Sequence, residues 1–399
     1  MKKTIAGMIV GLSLFISISS ANAAPALSDV NGHWAKDQIE FALKDGFVDG
    51  YPDGTFRPDQ NVSRVEFLKL VVDALKFKKQ DAAGEWFQPY VKTAEVNGIH
   101  QTGEFAADQL NEPITREEMA RIAVRATGEA NYDAKKWMYL ATSKGIITGM
   151  DEAGTLGEDQ PTTRAQAVTV IRRIMKIREG ASLPADKYAT SAAEIYWHKT
   201  NIITMLPQYF ADGYLKRGQK LEESSLKYVG ENGYSEIEKY IVVDMDNVKD
   251  PNRKLIPTDF RWSAAFGAER TPRQDNPNNS YALLSFNHID VSVVEPISFR
   301  FAQLNINPFF SENTVDEEGN LIDVTRFSSY DERNKTYLGS SIKLNVGEND
   351  LRFVTGQLLP KAQVRKQGDQ FYLYRDPAQE LGESHVVEVF SSHIDYTLK

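Results

Sequence analysis

Three arginines fall where helices begin and where a positive charge is disfavoured. Arg64, Arg116 and Arg164 lie 52 and 48 residues apart in matching surroundings: Ser63-Arg64-Val65-Glu66, Thr115-Arg116-Glu117-Glu118 and Thr163-Arg164-Ala165-Gln166. Ser or Thr followed three residues later by Glu or Gln, ahead of an apolar-periodic run, is a capping box. The hydroxyl accepts from the third backbone N–H of the helix, and the longer side chain reaches back to the cap N–H. That explains Ser63 with Glu66, Thr115 with Glu118 and Thr163 with Gln166. It leaves the arginine at the first helical position unexplained, since the macrodipole disfavours a cation there by about 0.3–1 kcal/mol. A helix N-terminus offers free N–H groups to anions, and a guanidinium beside it adds a bidentate clamp for carboxylate or phosphate. The competing explanation is an internal ion pair with Asp29, Asp81 or Asp133, and the residues alone weigh the two about evenly.

The elements that must position these arginines repeat with them. A glycine precedes each arginine, Gly46 and Gly98 by 18 residues and Gly145 by 19, and each closes a segment of helical spacing. Trp34 and Trp86 stand 12 residues before their glycine and Trp137 eight before; that shift is about one helical turn and predicts a common face for the three rings. Asp29 and Asp81 lie five residues ahead of their tryptophan, Asp133 four ahead. Each unit therefore reads as helix, glycine-ended turn, loop, helix, the first helix running from about His33 to Lys44. Gly50–Phe56 has the Pro-Asp-Gly chemistry of a tight turn followed by an aromatic that can plug a core.

Lys2 and Lys3, an apolar run from Ile5 to about Ile18, and Ala21-Asn22-Ala23 form the three-part layout of a secretory signal peptide over 1–23, with Ala24 expected to begin the mature chain. The run is shorter than the roughly 20 residues a span needs, and no later segment is apolar enough, so the mature form is expected to be soluble with no membrane partner. Cleavage takes away two lysines and no acid, moving the net charge from −9 to −11. An acidic chain argues against nucleic acid as a partner. Cysteine is absent, which excludes disulfides, thiolate chemistry and Cys-based zinc; no cofactor or metal is implied. The length suits two or more domains.

Residues Leu27–Leu75 combine Ser28-Asp29-Val30, His33-Trp34-Ala35, the stretch Gly50–Pro58 (GYPDGTFRP) and Ser63-Arg64-Val65-Glu66. This pattern closely resembles the S-layer homology family. The second and third units resemble it mainly in the helix-ending glycine and in Thr115–Glu118 and Thr163–Gln166, so the resemblance covers about residues 27–176. It implies an all-α pseudo-threefold bundle of repeats at 24–76, 77–127 and 128–180, with grooves between units. In the family those grooves bind a secondary cell-wall polysaccharide of Gram-positive bacteria, typically through a pyruvylated sugar, with the motif arginine as carboxylate ligand. Carried over, the polysaccharide-binding set is Arg64, Arg116 and Arg164 with Asp29, Asp81, Trp34 and Trp86. Arg64 ranks first because its unit is the most complete. The second loop lacks the Pro-Asp-Gly turn and the third lead-in is short, departures that predict one or two weak or silent grooves.

The remainder changes character. Residues 181–232 read as a linker and a partly helical segment (Ala192–Tyr196, Ile202–Tyr209), and 233–399 as a β-rich domain of short strands separated by turns, the pattern of a β-sandwich. Strand candidates include Tyr240–Asp244, Tyr281–Phe286, Val291–Val294, Leu351–Val354 and Gln370–Tyr374. The whole is thus an α + β multidomain chain. No His-Glu-x-x-His, Gly-x-Ser-x-Gly or P-loop occurs, and His288 beside Asp290 reads as a strand-face residue. The expected function is a non-enzymatic surface protein, anchored by the repeats, whose β-rich half serves assembly, adhesion or ligand binding, with other surface-layer proteins as further partners. The alternative is a wall-anchored hydrolase with a carboxylate pair in the second half. An outer-membrane barrel ranks below both, because the strands are short and irregular.

Overall fold

The computed structural model describes residues 27–207, 223–263, 269–270, 278–300, 304–307, 316–322, 325–331, 336–337, 341–361 and 370–393. The expected signal peptide lies outside them.

Six helices form the repeat half: α1 (Lys36–Asp45), α2 (Arg64–Ala74), α3 (Gln88–Val96), α4 (Arg116–Ala126), α5 (Trp137–Ser143) and α6 (Arg164–Arg178). Helix α1 buries Ile39 and Ala42 and stops at Gly46, whose φ of 83° sits in the left-handed region and whose N–H donates to the Ala42 carbonyl. It begins later than the sequence pattern suggests. Val30–Lys36 is instead a pair of tight turns, with the His33 N–H on the Val30 carbonyl and the Lys36 N–H on the His33 carbonyl. Trp34 therefore precedes its helix and is 65 % exposed, and Trp86 likewise precedes α3 and is 53 % exposed. Trp137 opens α5 and is only 4 % exposed. The common face expected for the three rings does not form, because the shortened lead-in of the third unit pulls its tryptophan inside the helix.

The second helices start at a closed ring. Just before each cap the chain is extended, and the three extended pieces bond in a cycle: Ile114 N–H to the Val62 carbonyl at 3.0 Å, Thr162 N–H to Ile114 at 2.9 Å, and Val62 N–H to Thr162 at 2.9 Å. All three residues are fully buried, so this cycle satisfies backbone groups that water cannot reach. The first turns repeat the pattern, with Arg64 N–H on Glu112, Arg116 N–H on Gln160 and Arg164 N–H on Gln60. Each first helix packs on the second helix of the preceding unit: α1 on α6, α3 on α2, α5 on α4.

Two further helices, α7 (Lys187–His198) and α8 (Ile202–Met205), follow. The Asp186 carboxylate caps α7 by accepting from the Tyr188 and Ala189 N–H groups, and its other oxygen accepts from Gly149 N–H in unit three. Ala189 and Ala193 enter the core of the repeat half, while Ile202, Ile203 and Met205 enter a core of the next.

The strands are β1 (Lys227–Gly230), β2 (Gly233–Asp244), β3 (Phe260–Ser263), β4 (Glu269–Arg270), β5 (Ser280–Val293), β6 (Ile297–Arg300), β7 (Leu304–Asn307), β8 (Thr325–Asp331), β9 (Thr336–Tyr337), β10 (Ser341–Leu344), β11 (Gly347–Pro360), β12 (Gln370–Arg375) and β13 (Val387–His393). The main sheet runs β1-β2-β5-β11-β8-β3-β4, with β9 beside β8; β13-β12-β7 and β10-β6 form smaller sheets, and every pairing between named strands is antiparallel. The candidates Tyr281–Phe286 and Val291–Val294 fall in one long strand, β5, with Val294 just beyond its end. Side-chain alternation along β2 and β5 gives the sheet two apolar faces. Tyr240, Val242 and Leu283 pack with α8, Leu373 and Val389; Ile241, Val243 and Leu284 pack with Ile256, Phe260 and Leu321.

Candidate functional site

Each second helix opens with its cap closed. Ser63, Thr115 and Thr163 accept from the N–H of Glu66, Glu118 and Gln166, and those side chains accept from the cap N–H at 2.7, 3.0 and 3.1 Å. The cap turns the following arginine outward from its own unit and into the next one around the ring.

The three arginines meet different surroundings there. Arg64 donates from Nε and NH2 to Glu118 Oε1 at 3.1 and 2.9 Å and from NH1 to the Gln109 carbonyl, with a side chain 12 % exposed. Arg116 is buried and, among the described residues, donates only to backbone, Nε to the Leu156 carbonyl at 2.8 Å and NH2 to Thr148 at 2.9 Å. Arg164 donates to the Phe56 and Asp49 carbonyls at 2.9 and 3.3 Å and lies over the Phe56 and Tyr51 rings. None of the three pairs with Asp29, Asp81 or Asp133. Asp29 holds the unit-one loop by accepting from the Phe56 and Arg57 N–H groups at 2.8 and 2.7 Å. Slight burial raises its pKa, but those backbone bonds outweigh it and the net shift is downward. Asp81 is exposed, and its backbone carbonyl accepts from Lys92. Asp133 accepts from Trp197 Nε1 at 2.6 Å.

Arg116 reaches a cavity of about 320 Å³ lined by Trp34 from unit one and by Ile147–Met150, Gln166, Thr169, Val170 and Arg173 from unit three. Arg173 donates to the Ile146 carbonyl at 3.1 Å. Burial pushes both guanidinium groups below their ordinary pKa. Among the described residues no carboxylate lies within ion-pair distance of either. Two desolvated cations therefore share one opening, beside the exposed Trp34 ring and the exposed Met150. Desolvated charge without a counter-charge is costly, and an anion entering the cavity would offset that cost. An indole face beside a charged pair also suits a ring that is apolar on one side and polar at its edge.

The motif pattern does not point to Arg173. Nine residues after each motif arginine stand Asp73, Arg125 and Arg173, and aligning the second helices by their caps would have shown that the groove charge differs between units. In the second half, His288 is buried on β5 and meets not Asp290 but Asp350 Oδ1 at 2.8 Å, with the Tyr234 hydroxyl at 3.2 Å from its Nδ1. Among the described residues no group of His, Asp and Glu is placed to hold a metal ion, and no helix is long and apolar enough to cross a membrane.

The chain has known relatives. The family model of the S-layer homology domain matches residues 26–68. Cell surface glycoprotein 1 of Acetivibrio thermocellus is 26 % identical over 213 residues, 53 % of this chain and 8 % of that protein. Outer membrane protein SlpA of Deinococcus radiodurans is 30 % identical over 194 residues, 47 % of this chain and 15 % of its own length. The Cellulosome-anchoring protein of Acetivibrio thermocellus is 42 % identical over 80 residues, 17 % of this chain and 18 % of its own. The chain thus spans less than a fifth of each of these relatives. Residues 26–68 are an S-layer homology domain, and the chain is an S-layer homology domain protein of the cell surface.

Proposed function

We propose that the repeat half anchors the protein non-covalently to the cell wall by binding an anionic secondary cell-wall polysaccharide, of the pyruvylated kind found in Gram-positive bacteria. The observation that carries this reading is the pair Arg116 and Arg173, two desolvated guanidinium groups with no acidic partner among the described residues, opening on one cavity beside Trp34. A pyruvate ketal carboxylate is bidentate and suits a guanidinium fork, and the sugar ring that bears it suits the indole face. The cavity volume lies in the range of small-ligand sites. In this reading the three repeats form one S-layer homology bundle with Arg116 its principal ligand. Arg64 and Arg164, with Asp29, Asp81, Trp34 and Trp86, belong to the same set of grooves. The antiparallel half, read as a β-sandwich, faces outward for assembly with other surface-layer proteins, adhesion or ligand binding. The Cellulosome-anchoring relative supports an anchoring role for the shared segment.

Co-sedimentation of the full chain with purified Gram-positive walls tests it. Binding is expected to vanish once the secondary polymer is stripped, and to drop at least tenfold in Arg116→Ala, the loss of one charge-assisted contact of about 1.5–3 kcal/mol. Undiminished binding to bare peptidoglycan overturns the polymer reading.

A further inference from the structure

The cavity in unit three has a counterpart in unit two that is filled from within. Gln166, Thr169 and Arg173 on α6 stand at the same distances from their cap as Glu118, Arg121 and Arg125 on α4. Thr148, the acceptor of Arg116, corresponds to Gln101, and Trp34 on the α6 side corresponds to Trp137 on the α4 side. Unit two therefore gathers three arginines, Arg64, Arg121 and Arg125, where unit three has two.

Those cations are not open. The Glu104 carboxylate, its side chain 8 % exposed, accepts from Arg125 NH1 with both oxygens at 2.8 Å and from the Gln101 N–H at 3.0 Å. It lies 3.0 Å from His100 Nδ1 and forms an ion pair with Arg121. Trp137 is closed off too, with the Arg125 guanidinium 4.8 Å above its ring. The neighbouring units are built differently at this position. There the residue before the loop core side chain is Thr55 or Thr155, whose hydroxyl donates to Asp53 at 2.6 Å or Asp151 at 2.7 Å in its own loop. The shorter second loop has Glu104 before Phe105 and folds it inward.

We propose that Glu104 is a built-in occupant of the unit-two groove: its carboxylate stands where a ligand carboxylate would bind, and residue 104 decides whether that groove takes polymer. The ligand excluded is a carboxylate-bearing sugar, the class assigned above to the unit-three cavity, and the inference rests on that assignment. Burial favours the neutral form of Glu104, yet the His100 and Gln101 hydrogen bonds and the Arg121 and Arg125 charges outweigh it and hold the pKa at about 2. The internal carboxylate therefore stays ionised wherever a competing one is charged.

Replacing Glu104 by the threonine of units one and three is the direct test. The full-length protein, Glu104→Thr and Glu104→Ala are titrated calorimetrically with a pyruvate-ketal hexosamine glycoside, folding being checked by circular dichroism. The variants are expected to bind one more glycoside per chain than the parent, and adding Arg125→Ala to Glu104→Thr should remove the gained site while Arg116→Ala removes the original one. Where the threonine variant does not fold, the alanine variant, which also empties the position, carries the same comparison. No gained site in a folded variant overturns the proposal. A parent that binds none while the variants bind one sinks the unit-three assignment and leaves Glu104 as the plug.

Discussion

A guanidinium at a helix start is costly unless something meets it, and the three motif arginines are met in three ways. Arg64 has a carboxylate, Glu118, which also closes the cap of α4 through its other oxygen. Arg116 has two carbonyls and a cavity, and Arg164 two carbonyls and two aromatic faces. Repeat completeness ranks Arg64 first as a ligand, whereas compensation of charge ranks Arg116 first. A neutralised arginine has little left to offer a ligand. Arg64→Ala is accordingly expected to cost about 1–3 kcal/mol in urea unfolding, since it strips a partly buried carboxylate of its partner, and to leave wall binding nearly intact. Arg116→Ala should show the opposite balance, weak binding with a smaller stability loss. If Arg64→Ala abolishes sedimentation with walls while melting normally, the principal site lies in unit two.

At the scale of elements, what was legible in the sequence was what is local. A capping box spans four residues and a helix-ending glycine one, so both can be read along the chain. Thr115→Ala should cost about 1 kcal/mol of stability, measured by the same unfolding assay. The partners of the arginines were not legible, because they lie 32 to 115 residues away across the ring. The tryptophans misled for a related reason: a four-residue shift preserves the face of a helix only if the helix contains both positions, and Trp34 and Trp86 precede theirs. The long strand β5 was seen only in fragments, since both its faces are buried and alternation is weak there. Strand β11 was seen only around Leu351–Val354, because its first residues set exposed Glu348 and Asp350 against half-buried Gly347 and Asn349 and carry no apolar signal. Glu104 was hidden in a loop read only as lacking the Pro-Asp-Gly turn, yet it carries an acid-dependent contribution. Its folded pKa of about 2 lies below the ordinary 4.5, so the unfolded chain binds its proton first as pH falls. The stabilisation is full above about pH 5, on the order of 3 kcal/mol, and fades as pH falls towards 2. The stability gap between the parent and Glu104→Gln should thus be largest at pH 7 and shrink to about 1 kcal/mol at pH 3. A gap independent of pH would mean the carboxylate is not the group that matters.

For the molecule as a whole, an anchor is useful only if the rest of the chain is mechanically tied to it, and α7 with the turn after it makes that tie. Its inner face contributes Ala189 and Ala193 to the repeat core, and Trp197 near its end packs on Tyr139. The residues that follow act as a strand against the open edge of β2. The Tyr240 N–H donates to the Lys199 carbonyl, and the buried Asn201 amide serves both backbone groups of Val242, accepting from its N–H at 2.7 Å and donating to its carbonyl at 2.9 Å. Nδ2 also reaches the Ser191 hydroxyl on α7 at 2.8 Å. One side chain thus covers a sheet edge and joins it to the helix that docks on the repeats, so pulling on the β half loads the bundle through packed contacts. Asn201→Ala leaves a buried N–H and carbonyl of β2 without their amide partner, a loss of about 2–4 kcal/mol. Because that loss falls on the junction, calorimetry should show the two halves of the parent melting together and those of the variant melting separately, the β half at the lower temperature. A parent that already melts in two steps, or a variant whose single transition merely shifts, would mean the halves are joined elsewhere.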